Sequence, residues 1–138
     1  MDAELYSTVQ AWLTRAKSDL SLATHSIEEI GDWLDSAVYH CQQAAEKALK
    51  AFLVSQNESV PKTHDIRRLI ESARVYRDEF GGFLADADLL TPLATEFRYP
   101  MDDEAPMPTL NQANEALAAA RRIYDFVLSV LPTETHPV

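Results

Sequence analysis

Four histidines and a short run of carboxylates are the residues whose types best suit chemistry in this chain. The histidines lack zinc-ligand spacing and cysteine companions, which argues against a zinc enzyme; they are His25, His40, His64 and His136. The chain has neither a glycine-rich phosphate loop nor a glycine-flanked serine, which argues against a kinase or hydrolase of common type. Asp102, Asp103 and Glu104 could hold Mg²⁺. A solvated acidic loop is the safer interpretation, so we predict neither a metal site nor a cofactor.

Other charged residues have both a functional and a structural interpretation. His64, near the start of a predicted helix, could be catalytic, but histidines at such positions are more often packed or capping. Lys47 could line a cleft or point into solvent, and the second interpretation is simpler. Glu46 and Lys50 are four residues apart on a predicted helix, so we expect them to form an exposed ion pair.

Five amphipathic helices are predicted from apolar residues that recur at three- and four-residue steps. They cover about residues 3–29, 33–57, 64–76, 85–97 and 110–130. Gly31 should end the first helix, and the expected N-caps of the second, third and last helices are Asp32, Thr63 and Thr109. Pro92 fits the fourth helix only in its first turn or at a kink.

Long helices with short connections pack as an antiparallel bundle. We therefore predict an all-α fold in a single domain over residues 1–132, followed by a disordered tail over residues 133–138. Trp12 and Trp33 are expected in the core or in an interface. Cys41 is the only cysteine, and the chain has no signal-like or membrane-spanning stretch, so we expect a cytoplasmic protein with no membrane contact.

The net charge of −10 disfavours indiscriminate binding to nucleic acid, because phosphate affinity is built from lysine and arginine contacts. The charge is uneven along the chain. Residues 62–77 hold five basic and two acidic side chains, whereas all four charges in residues 28–35 are acidic. This pattern fits either a docking surface or ordinary solvated helix faces, and the second is the more common case.

Four segments in order resemble the HEPN family. Residues 42–51, Gln-Gln-Ala-Ala-Glu-Lys-Ala-Leu-Lys-Ala, are similar to its second-helix signature, and residues 12–23 to its first helix. Residues 62–66, Lys-Thr-His-Asp-Ile, resemble its third-helix entry, and residues 97–100, Phe-Arg-Tyr-Pro, its fourth-helix exit. The resemblance implies an up-and-down four-helix bundle with a short extra helix. It also implies a homodimer and a nucleotidyltransferase partner, often in a toxin–antitoxin arrangement.

Active HEPN ribonucleases carry an arginine and, after four to six intervening residues, a histidine. The resemblance assigns that arginine to Arg98, but the histidine positions hold Asp103, Glu104 and Ala105. Imidazole moves the proton of the ribose hydroxyl and arginine steadies charge on the phosphate, and neither acidic residue replaces imidazole in that role. The tyrosine that some partners modify with AMP is missing as well, since its positions hold Ala105, Pro106 and Met107.

Three functions remain open from the sequence. The first is a non-catalytic HEPN subunit that binds a nucleotidyltransferase, with a nucleotide or RNA in a dimer cleft near Arg98. In that cleft Tyr99 and Lys47 are further candidate contacts, although Tyr99 could simply fix a turn and Arg98 could cap a helix. The second is a metal-independent endoribonuclease that uses Arg98 with an unmatched base such as His64. The third is a stand-alone nucleotide-binding module.

Overall fold

The computed structural model describes residues 1–97 and 107–138, except the side chain of residue 94, and every regular element in these ranges is helical. The α-helices are α1 (Ala3–Thr24), α2 (Leu34–Ser55), α3 (Ile66–Arg74), α4 (Leu84–Glu96) and α5 (Leu110–Ser129). Short helical turns of other types cover His25–Ile30, Asp78–Phe83 and Thr133–Thr135. The predicted all-α class is confirmed. Within the described ranges, no helix is long and apolar enough to cross a membrane.

The first helix begins at Asp2, whose carboxylate accepts a hydrogen bond from the Leu5 amide at 2.8 Å. Its last turn, His25–Ile30, winds as a π-helix and ends at Gly31, which has a φ of 70°. Asp32 was expected to cap α2, but Trp33 takes the N-cap position with a φ of 55°. The reason is that the Asp32 carboxylate accepts from the adjacent Trp33 amide, not from an amide inside the helix. Trp33 is 57% exposed, so it lies outside the core of this chain.

Helix α2 lies at the centre of the fold and contacts α1, α3, α4 and α5. Its alanines, all buried, allow α1 to approach closely; they are Ala37, Ala44, Ala45, Ala48 and Ala51. Farther along α2, Phe52 packs against Phe80 with ring centroids 4.6 Å apart, and Phe80 packs against Phe126 at 4.9 Å. Edge-to-face and tilted aromatic pairs at such distances add to the burial of apolar surface. This aromatic cluster joins α2, α5 and the turn before α4.

The remaining helices show how local hydrogen bonds fix the helix ends. Asp65, not Thr63, caps α3, because its carboxylate accepts from two amides of the first turn. The Thr63 hydroxyl instead accepts from the Asp65 amide at 3.1 Å. Thr109 caps α5 in a reciprocal capping box with Gln112, as predicted. Pro92 lies inside α4, beyond its first turn.

The end of the chain is ordered against the bundle, which corrects the expectation of a disordered tail over residues 133–138. Thr135 is fully buried in a short 3₁₀ turn. The His136 ring donates from Nε2 to the carbonyls of Leu128 and Leu131, and the Gln10 amide donates to the His136 carbonyl at 3.0 Å. These bonds satisfy carbonyls at the end of α5 and join it to α1. The sequence of the tail alone does not predict this order, because its partner Gln10 is 126 residues away in the chain.

Candidate ligand-binding cleft between α1 and α2

A cleft of about 580 Å³ opens where α1 runs beside α2. We call it the α1–α2 cleft. Its walls are residues of α1, residues of α2 and one residue of the loop before α3; they are Ser7, Thr8, Ala11, Trp12, Arg15, Glu46, Lys47, Lys50 and His64. The size is within the range that small-molecule sites in proteins occupy. Two of the residues singled out from the sequence, Lys47 and His64, therefore share this cleft.

A buried polar stripe on α2 is formed by Gln42, Glu46 and Lys50, and its members Glu46 and Lys50 line the cleft. Residues four apart lie above one another on a helix, so these side chains form one row. Gln42 Nε2 donates to Glu46 Oε1 at 3.2 Å, and Lys50 Nζ donates to Glu46 Oε2 at 3.1 Å. The side chains of Glu46 and Lys50 are only 4% and 6% exposed. Our expectation of an exposed pair is wrong, because α1 and the loop before α3 cover this face of α2.

His64 extends this polar stripe to the surface. Its Nδ1 atom is 3.2 Å from both carboxylate oxygens of Glu46, and its backbone carbonyl accepts from Gln42 Nε2 at 3.2 Å. Because a carboxylate only accepts hydrogen bonds, Nδ1 carries the proton in this contact. The His64 side chain is 80% exposed. The imidazole is thus oriented from below by a buried carboxylate while the rest of the ring faces solvent.

The outer walls of the cleft combine an aromatic surface with cations. Trp12 is half-buried against the core, and the Lys50 ammonium lies 5.9 Å from the centre of its ring. Arg15 is exposed one turn farther along α1. Within the described ranges, Arg15 has neither an ion-pair nor a hydrogen-bond partner through its side chain, so its guanidinium is available to a ligand.

Lys47 is held from the opposite side by Asp19. The Lys47 ammonium lies 2.6 Å from one carboxylate oxygen of Asp19, and His40 Nδ1 lies 2.7 Å from the other. The Asp19 side chain is 8% exposed, whereas Lys47 is 24% exposed. An ammonium group has three donors. Lys47 can therefore keep its contact with Asp19 and still donate into the cleft.

The cleft has an excess of positive charge in a strongly acidic protein. Its walls hold the cations Arg15, Lys47 and Lys50 and the carboxylate of Glu46, and Asp19 pairs with Lys47 from outside the walls, so the excess charge is that of Arg15. The arrangement favours binding of an anion that also presents a flat ring to Trp12.

The thiol of Cys41, which does not line the cleft, is not a reactive group, because burial raises the pKa of Cys41 to about 12 even though Arg121 acts to lower it.

The chain is similar to known proteins over most of its length. The HEPN domain model matches residues 9–130, most of the chain. The chain belongs to the HEPN family. It is similar to TT1696 from Thermus thermophilus, with 29% identity, a TM-score of 0.80, and coverage of 91% of this chain and 99% of that one. It is also similar to ST0689, an archaeal HEPN homologue, with 26% identity, a TM-score of 0.69, and coverage of 88% and 95%. No curated protein matches the chain.

Several residues predicted for the HEPN site fall outside the described ranges. These are Arg98 and Tyr99, together with the acidic run Asp102, Asp103 and Glu104. Within the ranges that are described, no group of three or more histidine, cysteine or carboxylate side chains could hold a metal ion. Arg15 was not predicted from the sequence, and Glu46 and Lys50 were predicted only as an exposed ion pair. The four-residue spacing from Gln42 to Lys50 was the available signal, but alone it does not reveal burial.

Proposed function

We propose that this HEPN protein is a non-catalytic subunit that binds a nucleotide in the α1–α2 cleft and acts together with a nucleotidyltransferase. The observation that carries the nucleotide part is the set of three cations that share the cleft with the half-buried ring of Trp12. A nucleotide presents a planar base and a phosphate, and these two groups need an aromatic surface and positively charged donors.

The individual contacts support specific roles for the cleft residues. Arg15 is free to hold a phosphate through two parallel hydrogen bonds. Lys47 and Lys50 are fixed by the carboxylates of Asp19 and Glu46, so little side-chain entropy remains to be lost when a ligand binds. The indole of Trp12 is the surface on which a base stacks. We therefore propose a ligand site on α1 and α2, whereas the sequence had suggested a cleft near Arg98.

The non-catalytic and partner parts of the proposal rest on the sequence. The three positions where HEPN ribonucleases carry their histidine hold other residues, and the tyrosine that some partners modify is missing too. Frequent pairing of HEPN proteins with nucleotidyltransferases supports a complex of that kind, with a homodimer of this chain as its centre, in the cytoplasm. Co-purification with a nucleotidyltransferase encoded by a neighbouring gene tests this part. Failure to form a complex when both proteins are folded would count against it.

Binding can be followed through the cleft tryptophan itself. In a Trp33→Phe variant, Trp12 is the single tryptophan, so quenching of its fluorescence on addition of AMP or ATP reports occupancy of the cleft. Isothermal titration then gives the dissociation constant. We expect Arg15→Ala to weaken binding by about 10- to 100-fold, the usual cost of losing a hydrogen bond to a charged group.

The matched control is Lys17→Ala, which removes an exposed cation from α1 outside the cleft walls. It should change the dissociation constant by less than about twofold, because screening weakens charges that do not touch the ligand. If no nucleotide produces either heat or quenching, the proposal is refuted. Equal losses in Arg15→Ala and Lys17→Ala would show attraction by general charge, with no binding in the cleft.

The contact between Glu46 and His64 favours one alternative, an endoribonuclease. A histidine oriented by a buried carboxylate is suited to accept the proton of a ribose hydroxyl, while Arg98 would steady the phosphate. This function predicts RNA cleavage without metal that disappears in both His64→Ala and Arg98→Ala. Cleavage that survives Arg98→Ala would remove the alternative. Absence of cleavage by the wild-type protein would leave the binding subunit.

A further inference from the structure

A second cleft lies beside the α1–α2 cleft, on the other side of the loop that precedes α3. We call it the α3 cleft. It has a volume of about 450 Å³ and is lined by Pro61, Lys62, Thr63, Arg68 and Ser72. Two of these residues are cations and two carry hydroxyl groups, and its walls hold no carboxylate. Each of these four side chains can donate a hydrogen bond to an anion.

The two cations of the α3 cleft differ from the other basic residues of this part of the chain. Residues 62–77 contain five basic side chains, and three of them are paired. Arg67 binds Asp88, Arg74 binds Glu71 and Asp78, and Arg77 binds Glu79. For the part of the chain that the structure describes, Lys62 and Arg68 have no ion-pair partner. The unpaired cations are therefore the two that line the cleft.

The carboxylates nearest in sequence, Asp65 and Glu71, keep their negative charge but do not line this cleft. Asp65 accepts hydrogen bonds from the amides of Arg67 and Arg68 at the start of α3. Glu71 accepts from Arg74. The positive charge that the sequence shows over residues 62–77 thus includes two cations, Lys62 and Arg68, that line one cleft and have no direct ion-pair partner in the part of the chain that the structure describes.

A single loop forms a wall of both clefts. His64 lines the α1–α2 cleft, and the adjacent residue Thr63 lines the α3 cleft. The loop is held in place by the bond from Gln42 to the His64 carbonyl and by the bond from the Asp65 amide to the Thr63 hydroxyl. Adjacent residues are only about 3.8 Å apart along the chain. The two clefts therefore meet at one loop, and a ligand that extends across this loop would contact residues of both.

We propose that Lys62 and Arg68 form a second phosphate-binding subsite for the ligand whose first nucleotide occupies the α1–α2 cleft. This inference rests on the proposed function and defines the ligand more closely, since the ligand must carry a second phosphate beyond the one that Arg15 contacts. A polyphosphate chain on one nucleotide and the phosphate of a second nucleotide both satisfy this chemistry.

Isothermal titration with three ligands separates these cases. AMP has one phosphate, ATP extends it by two more, and the dinucleotide pApA carries its second phosphate between two nucleosides. We expect ATP or pApA to bind the wild-type protein at least tenfold more tightly than AMP. In the double variant Lys62→Ala/Arg68→Ala this gain should disappear while the affinity for AMP stays within about twofold. The salt dependence of binding should also become shallower, since fewer phosphate contacts remain.

The matched control is Arg67→Ala, which removes the neighbouring arginine of α3 that is paired with Asp88 and lines neither cleft. It should leave the affinity for all three ligands within about twofold of wild type. A gain with ATP alone assigns the subsite to a polyphosphate chain, and a gain with pApA alone assigns it to a second nucleotide.

Three outcomes would overturn the inference in distinguishable ways. If AMP binds and neither ATP nor pApA binds more tightly, the second subsite does not exist while the proposed nucleotide site stands. If the gain is present but survives in Lys62→Ala/Arg68→Ala, the extra phosphate is held elsewhere. If none of the three ligands binds, the proposed function fails and the inference fails with it.

Discussion

Helix α2 has two buried faces that are built from opposite kinds of residue. One face meets the aromatic cluster, where Phe52 packs against Phe80 and Phe80 packs against Phe126. The other face carries the polar stripe of Gln42, Glu46 and Lys50, which is nearly as well covered. The aromatic face stabilises the fold by removing apolar surface from water. The polar face has to recover the cost of dehydrating two charges, so it contributes much less to stability.

The difference shows which face is suited to function. A buried ion pair is weak evidence for stability, because well-packed apolar residues of similar volume do as well or better. On α2 the pair opens into a cleft and orients an exposed imidazole through Glu46. We infer that the aromatic face holds the helices together while the polar face presents positioned donors to a ligand. The predictions below test this division, starting with the largest expected effect.

Truncation of the aromatic cluster should cost the most stability. Phe80 is fully buried and contacts rings on two sides, so Phe80→Ala should lower the free energy of unfolding by about 3–5 kcal/mol. Phe83→Ala is the control, since Phe83 is only half-buried and contacts Phe126 alone in the cluster; it should cost about half as much. Urea denaturation measures both. Equal losses would mean that the ring stacking at Phe80 adds nothing to its burial.

Breaking the polar stripe on one side should cost somewhat less. Glu46→Ala leaves the ammonium of Lys50 buried without its partner, which should lower the free energy of unfolding by about 3 kcal/mol. The loss is at the low end for buried pairs because Lys50 lines the cleft and can reach water there.

The double variant Glu46→Met/Lys50→Met distinguishes a stabilising role from a functional one. It removes both charges and keeps the volume, so most of the lost stability should return. Gln42 retains the His64 carbonyl as a partner, and the exposed imidazole of His64 can bind water instead. Nucleotide binding should nevertheless remain weakened, because Lys50 is one of the cleft cations. A double variant that is as unstable as Glu46→Ala would show that the pair itself stabilises the fold.

The aromatic and polar faces also differ in how well the sequence predicted them. The apolar positions of α2 follow the helical period, so their burial and the all-α class could be predicted directly. The same period places Glu46 and Lys50 on a shared face, but only the positions of α1 and of the loop before α3 decide whether solvent reaches that face. The caps show the same limit. Thr109 was predicted correctly because its partner Gln112 is local, whereas the last residues of the chain are held by Gln10, far away in sequence.

A smaller effect is expected from the thiol of Cys41, which lies in the core of α2. Burial raises the pKa of Cys41 to about 12 from its ordinary value of 9.0. As the pH rises, the thiol therefore loses its proton in the unfolded chain before it does so in the folded protein. Its contribution to the free energy of unfolding is complete below pH 9 and is lost as the pH rises toward 12. Between about pH 9 and about pH 10 the loss should be about 1 kcal/mol. In Cys41→Ala the free energy of unfolding should fall by about 1 kcal/mol less than in wild type over this pH range. Equal falls in the two proteins would contradict the raised pKa of Cys41.

The smallest effect should come from an ion pair that is exposed. Arg67 and Asp88 are 51% and 63% exposed, in contrast to the buried pair of Glu46 and Lys50. Water and salt screen the exposed pair, so Arg67→Ala should change the free energy of unfolding by less than about 0.5 kcal/mol. Denaturation in low and high salt checks this directly. A loss of about 3 kcal/mol, equal to that expected for Glu46→Ala, would mean that this exposed pair matters as much as the buried one. The buried pair on the polar face of α2 would then not differ from an exposed pair in its effect on the free energy of unfolding.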